Sequence, residues 1–203
     1  MHRRTGTAAI VVALAALALP WSAMPAAAAS SHMTVTGRTT QPIGHYEYCR
    51  TYAEDCQIAG DGRAVQLTRA RWEEILVVND RVNAAVRPVT DMDYYKVEEY
   101  WTYPEKYGDC EDYALAKRGM LIAQGWPASA LLITVVRQPN GEGHAVLTVR
   151  TDRADYVLDN LNARVLPWNE TEYRYLKRQS SRNSGQWEGI EDQRVPFVGS
   201  VKK

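Results

Sequence analysis

Over residues 67–86 apolar side chains recur at Trp72, Ile75, Leu76, Val82 and Ala85 with charged residues between them, the three-to-four spacing of a helix that buries one face. Asn79 and Asn83 fall toward its end. A clearer helix is predicted over 109–124, where Asp109 can cap, Cys110 takes the first helical position and Asp112 approaches a capping box. Ala114, Leu115, Leu121 and Ile122 supply its core face, and Gly125 with Pro127 ends it. The period then shortens. Residues 131–137, 144–150 and 155–161 are rich in Val, Ile, Leu and Thr and are separated by QPNGEG and TDRA, which predicts an antiparallel meander. The order is helix first, strand later. Residues 89–107, with many Asp, Tyr and Pro, read as an ordered loop leading to the second helix. Residues 168–190 mix Trp168, Tyr173, Tyr175 and Trp187 with basic residues and read as a partly packed tail with a helical turn after Asn169.

The amino terminus has a different pattern. Arg3-Arg4, an apolar run over 8–19 broken by Pro20, and the small residues 26–30 match the three regions of a secretory signal peptide, with cleavage near Ala28 or Ala29. A run of 12 residues is short of the roughly 20 needed to span a bilayer. The expectation is a signal peptide at 1–29, one domain at 30–203, no membrane span in the mature chain, and a periplasmic or secreted location. Without the leader, 22 basic residues face 24 acidic ones, a balance that gives no support to nucleic acid as a partner.

Export changes the reading of the three cysteines. Cys49 and Cys56 are close in CRTYAEDC, while Cys110 lies 54 residues further on, so the expected disulfide is Cys49–Cys56. A metal site there would need more ligands than His45 adds. Cys110 then remains a free thiol in an oxidising compartment, a liability unless it is used.

It stands in a suggestive setting. GDCEDYALAK puts Cys110 at a helix N-terminus, whose partial positive charge and free N–H groups favour thiolate and offer a donor to an oxyanion. His144 in GEGHAVLTV and Asp159 in YVLDNL lie on successive strands. If Arg150 pairs with Asp155, His144 stands opposite Leu161 with Asp159 two residues along; if Arg150 pairs with Arg153, His144 stands opposite Asp159 directly. Either register puts imidazole and carboxylate on one face, as a Cys-His-Asp catalytic unit requires. Asp109, Glu111 and Asp112 oppose this by crowding negative charge round the thiol, and a hard cation such as calcium is the plainest remedy. Taken singly, each residue has an ordinary structural reading as a small hydrophobe, a core histidine or a helix cap; order, parity, helix position and an unpaired thiol together favour catalysis.

GDCEDYALAK, GHAVLTV and VLDNL closely resemble the bacterial transglutaminase-like cysteine proteinases, which include the LapG-type periplasmic proteases. The similarity extends upstream through VNDRVNAAVRPVTDMDYY and EYWTYPEKYGDCEDYA and downstream through 168–187. It implies an α+β, papain-like fold of transglutaminase-type topology, with the nucleophile helix packed on an antiparallel sheet. It also implies a triad of Cys110, His144 and Asp159, and calcium held through Asp109 and Glu111. LapG-type members cleave large surface adhesins and are held by an inner-membrane receptor, so a protein substrate, an adhesin and such a receptor are the implied partners. The chain departs from that pattern in its short 101–108 stretch and its Cys49/Cys56 segment. The expected function is an exported cysteine endopeptidase; the alternatives are acyl transfer to an amine, or a calcium-dependent binding module that keeps the fold without catalysis.

Overall fold

The computed structural model describes residues 30–194; the predicted leader and its cleavage point at Ala28 or Ala29 lie outside them. In chain order the elements are β1 (Thr34–Thr39), α1 (Ile43–Thr51), α2 (Arg69–Ala85), β2 (Arg87–Pro88), α3 (Asp91–Tyr94), β3 (Tyr107–Gly108) and α4 (Cys110–Ala123). There follow β4 (Leu131–Arg137), β5 (Gly143–Arg150), β6 (Asp155–Leu158), β7 (Leu166–Pro167), β8 (Arg174–Ser180) and β9 (Asn183–Glu191). Short 3₁₀ turns occur at Ala53–Cys56, Ala128–Ala130 and Trp168–Glu170.

Seven strands form one antiparallel sheet in the order β1-β9-β8-β4-β5-β6-β7, and β2 and β3 make a separate two-residue parallel pair. The meander β4–β5–β6 sits where the Val- and Ile-rich runs place it. β4 and β5 are buried along nearly their whole length because both faces of the sheet are covered. On one face Ile133, Leu147, Val149 and Leu158 meet Ile75, Val78 and Val82 of α2 and Leu115 and Leu121 of α4. On the other, Val136, Val146, Val157, Tyr175 and Ile190 join Met33 and Trp168. Leu115 and Leu121 are fully buried, each contributing roughly 2 kcal/mol through area removed from water. Gly125, at φ 88°, ends α4, and the Trp126 N–H returns to the Leu121 carbonyl at 3.1 Å.

Three sequence expectations are corrected. The first described element is a strand, β1, whose residues are all exposed; only pairing with β9 makes it one, so no apolar alternation announces it. The 168–190 tail is a hairpin, β8–β9, inserted between β4 and β1, with a 3₁₀ turn at Trp168–Glu170 before it. Its alternation is masked by bulges between Val135 and Val136 and between Gln179 and Ser180, and by buried polar side chains that find partners across strands. Arg178 pairs with Asp155 at 3.0 Å, and Gln179 accepts the Ile133 N–H while donating to the Ser184 carbonyl. Finally, β6 stops at Leu158, because the Asp159 side chain takes the Leu161 N–H at 3.0 Å and turns the chain, leaving Leu161 exposed.

Candidate active site

Cys110 is the first residue of α4, preceded by Asp109 in extended conformation. Asp109 occupies the cap position without a side-chain hydrogen bond to the helix, so the cap predicted for it does not form, and Asp112 Oδ1 accepts the Thr102 N–H at 2.8 Å. The glycine of the GDCED motif has a steric reason. A Cβ on Gly108 would stand 2.8 Å from Asp112 Cβ and Oδ2, closer than packed atoms tolerate, so only glycine lets β3 lie against the start of α4.

α4 packs on β5, which brings the Ala145 N–H to the helix start. The Cys110 thiol, half-buried, accepts the Ala145 N–H at 3.3 Å and donates to Glu111 Oε2 at 2.9 Å. In the next strand pair, Arg150 stands opposite Asp155 and Leu147 opposite Leu158, the first of the two registers considered. That register sets Asp159 on the face of His144, and the turn after Leu158 carries its carboxylate to the ring: His144 Nε2 and Asp159 Oδ1 are 2.8 Å apart, both side chains buried. That bond occupies Nε2, so Nδ1 is the ring nitrogen left over, while the Cys110 thiol bonds to Ala145 and Glu111 rather than to the imidazole. The Asn83 side chain of α2 donates to the Asp159 carbonyl at 2.8 Å, fixing the turn that carries the carboxylate.

The electrostatics of the two ends differ. Burial works against the Asp159 charge, yet donors from His144, Tyr173 and Leu161 hold its carboxyl below the usual range. Around the thiol the balance is reversed. Burial first, then the charges of Glu111 and Asp109, push Cys110 well up, with only the Ala145 N–H opposing. Burial and then Asp109 push Glu111 well up; burial and then Asp91 push Asp109 up to about 6. Burial also raises Asp112 to about 8.

Asp91 is a residue that sequence reasoning missed. It opens α3, is buried, and brings a carboxylate oxygen within 4.8 Å of those of Asp109 and Glu111. Its place after Thr90, which caps the short helix, hints at capping; nothing in its spacing points to Cys110. A buried Asp109 oxygen, Oδ1, has no hydrogen-bond partner. Three clustered carboxylates, one with an orphaned oxygen, are a hard-cation donor set, so these residues fit calcium. Cys49 and Cys56 are joined by a disulfide between α1 and the 3₁₀ turn that follows it, at a Cα separation of 5.6 Å. His45 lies beside it, buried, and bonds to the Trp187 indole and Gln179. The bridge is apart from the Cys110–His144–Asp159 group in sequence and packs into the core with α2 and α4.

The family model for bacterial transglutaminase-like cysteine proteinases matches residues 35–195. This chain belongs to that family. The family is one of cysteine proteinases, which gives Cys110, the one cysteine outside the disulfide, particular interest. Three solved structures of Legionella pneumophila LapG are similar to this chain. One is 25% identical over 54% of this chain and 64% of its own length, with a TM-score of 0.48. A calcium-bound form is 22% identical over 63% of this chain and 73% of its own, TM-score 0.52; an EGTA-treated form is 24% identical over 60% and 72%, TM-score 0.50. The latter two agree with the α+β, transglutaminase-like fold described above. The chain spans less than two thirds, 64%, of the first structure's length. No curated protein matches. Among the described residues no helix is long and apolar enough to cross a membrane.

Proposed function

We propose that this proteinase is an exported endopeptidase in which Cys110 is the nucleophile, His144 its general base and acid, and Asp159 the group that orients the imidazole. The observation that carries this is the buried 2.8 Å His144–Asp159 pair on the strand whose next residue, Ala145, donates its N–H to the Cys110 sulfur. His144 Nδ1 takes the thiol proton; the thiolate adds to a peptide carbonyl; the oxyanion is met by N–H groups at the start of α4, that of Cys110 among them. His144 then gives its proton to the leaving amine, and water, activated by the same imidazole, releases the acyl group and restores the thiol. Asp159 remains ionised throughout and stabilises the imidazolium.

Calcium is assigned to Asp91, Asp109 and Glu111. When bound, it would offset the negative charge that now raises Cys110 and compete for the Glu111 carboxylate to which the thiol donates. The carboxylate cluster supports this, as does the existence of calcium-bound and EGTA-treated forms of LapG. The leader-like 1–29 segment and the family support a periplasmic site of action, with a surface or periplasmic protein, such as an adhesin, as substrate and an inner-membrane receptor as regulator. Mass-spectrometric comparison of exported proteins from wild type and a Cys110→Ala strain tests the whole reading. It expects one or a few proteins to be shortened only in the wild type; identical profiles would remove the endopeptidase assignment.

A further inference from the structure

Asp159 has both oxygens engaged. Oδ1 takes His144 Nε2 at 2.8 Å and the Leu161 N–H at 3.0 Å, and Oδ2 takes the phenol of Tyr173 at 2.5 Å. Tyr173 lies between β7 and β8, and its ring centroid is 5.4 Å from that of His144, with the planes inclined at 56°. One side chain therefore touches both the carboxylate and the imidazole.

Its place is fixed from behind. Arg194 donates to the Tyr173 carbonyl and, at 3.0 Å each, to the carbonyls of Trp168 and Thr171. The same guanidinium pairs with Asp192 at 2.8 Å and lies over the rings of Trp168 and Tyr175. The loop that carries Tyr173 is thus latched to the end of the described chain. On its open side Tyr173 borders a cleft of about 340 Å³ shared with Asn162, Arg164 and Glu172, so the residue stands between solvent-accessible space and the buried pair.

Resting on the Cys110–His144–Asp159 reading, we infer that Tyr173 is a positioning residue of this proteinase, which aims Asp159 Oδ1 at His144 by occupying Oδ2 and limits rotation of the imidazole with its ring. A hydrogen bond donated to an ionised carboxylate also favours the ionised form. The groups that face Asp159 are His144 from β5, Lys117 from α4, and Tyr173 and Tyr175 from β8 and its approach; Asp80 of α2 faces Lys117, and Glu172 faces Tyr173. Of these, Tyr173 and His144 are the side chains that hydrogen-bond the carboxylate. With the phenol removed, burial is opposed by fewer donors, so Asp159 protonates at higher pH and ceases to hold the imidazole in place sooner as pH falls.

The test measures the rate of Cys110 alkylation by iodoacetamide against pH, in calcium-containing buffer, for wild type, Tyr173→Phe and His144→Ala. Tyr173→Phe keeps the ring and removes only the donor. Its alkylation rate below neutrality should fall about tenfold, the scale of a lost hydrogen bond to a charged group, and the acid limb of its profile should move to higher pH. An acid limb unmoved from wild type overturns the inference, whether or not the rate changes, because a structural role alone lowers stability without displacing that limb. His144→Ala separates this from the reading beneath it: if that variant keeps the wild-type profile, the imidazole does not activate Cys110 and the triad itself falls. Should Tyr173→Phe fail to fold, 3,5-difluorotyrosine at position 173 decides. Its more acidic phenol is a stronger donor, so the acid limb should move to lower pH, and an unmoved limb overturns the inference.

Discussion

His144 and Asp159 meet across β5 and the turn after β6, Nε2 to Oδ1 at 2.8 Å with both side chains buried, while the Cys110 sulfur is held one residue away by the Ala145 N–H. Because the three side chains come from a helix start, a strand and a turn, losing any one of them should leave the other two nearly in place.

Cys110→Ser is therefore expected to fold and to lose turnover, since a hydroxyl is a far weaker nucleophile in a site arranged for thiolate and imidazolium. His144→Ala should cost about 10³-fold or more in kcat/KM, and Asp159→Asn as much or less, with the double variant no worse than the more severe single one. Rates on the substrate identified from the exported proteins, together with circular dichroism of each variant, check this; proteolysis retained by Cys110→Ser would remove the cysteine from the mechanism.

Asp91 enters the cation site from α3, a segment separate from the Cys110 motif. Asp91→Asn keeps shape and removes one charge, so calcium affinity should fall by about tenfold or more, one unit charge at close range in a partly buried site being worth at least that. Calorimetric titration of chelator-treated protein should show heat with calcium, less with magnesium, and a weakened response in the variant. Absence of heat in the wild type would leave the three carboxylates without a metal role.

The Cys49–Cys56 bridge closes a short loop. Reduction should expose two further thiols to a titrating reagent and lower stability by about 2–3 kcal/mol, the chain-entropy figure for so small a loop. The Cys110 alkylation rate should stay unchanged while the protein remains folded. Three free thiols in protein isolated from the periplasm would exclude the bridge there.

Lys117 is buried on α4, its ammonium 5.8 Å from the Tyr113 ring centre. Burial lowers its pKa from 10.5 to about 7, against the attraction of Asp159 and Asp80. Between those two values the unfolded chain binds a proton that the folded chain does not, so this residue makes stability rise with pH across that window, by at most about 1.4 kcal/mol per unit. Urea unfolding from pH 7 to 9.5 should show a steeper rise for wild type than for Lys117→Met. Parallel curves would mean that Lys117 keeps its charge in the folded protein.

The sequence by itself determined the parts of the molecule whose code is local. Helical spacing around Ile75 and Val82 placed α2, the Gly125 stop ended α4 at Ala123, and the Val- and Ile-rich runs placed the β4–β5–β6 meander. The shared face of His144 and Asp159 was readable too, because both registers considered for the turn after Arg150 put them there, and the first of them is the one found.

Tertiary structure alone decided the rest, for a common reason: these features depend on partners far along the chain. β1 is a strand because β9 offers an edge, and β8 buries Arg178 and Gln179 because Asp155 and Ile133 satisfy them. Asp112 takes the Thr102 N–H from the segment before its own helix. Asp91 meets Asp109 and Glu111, and Tyr173 meets Asp159, through approaches that no periodicity encodes. A hydrogen-bonding side chain goes to whichever unsatisfied group the packed chain brings near it, so local pattern fixes where Cys110, His144 and Asp159 stand in their elements, and only packing fixes what surrounds them.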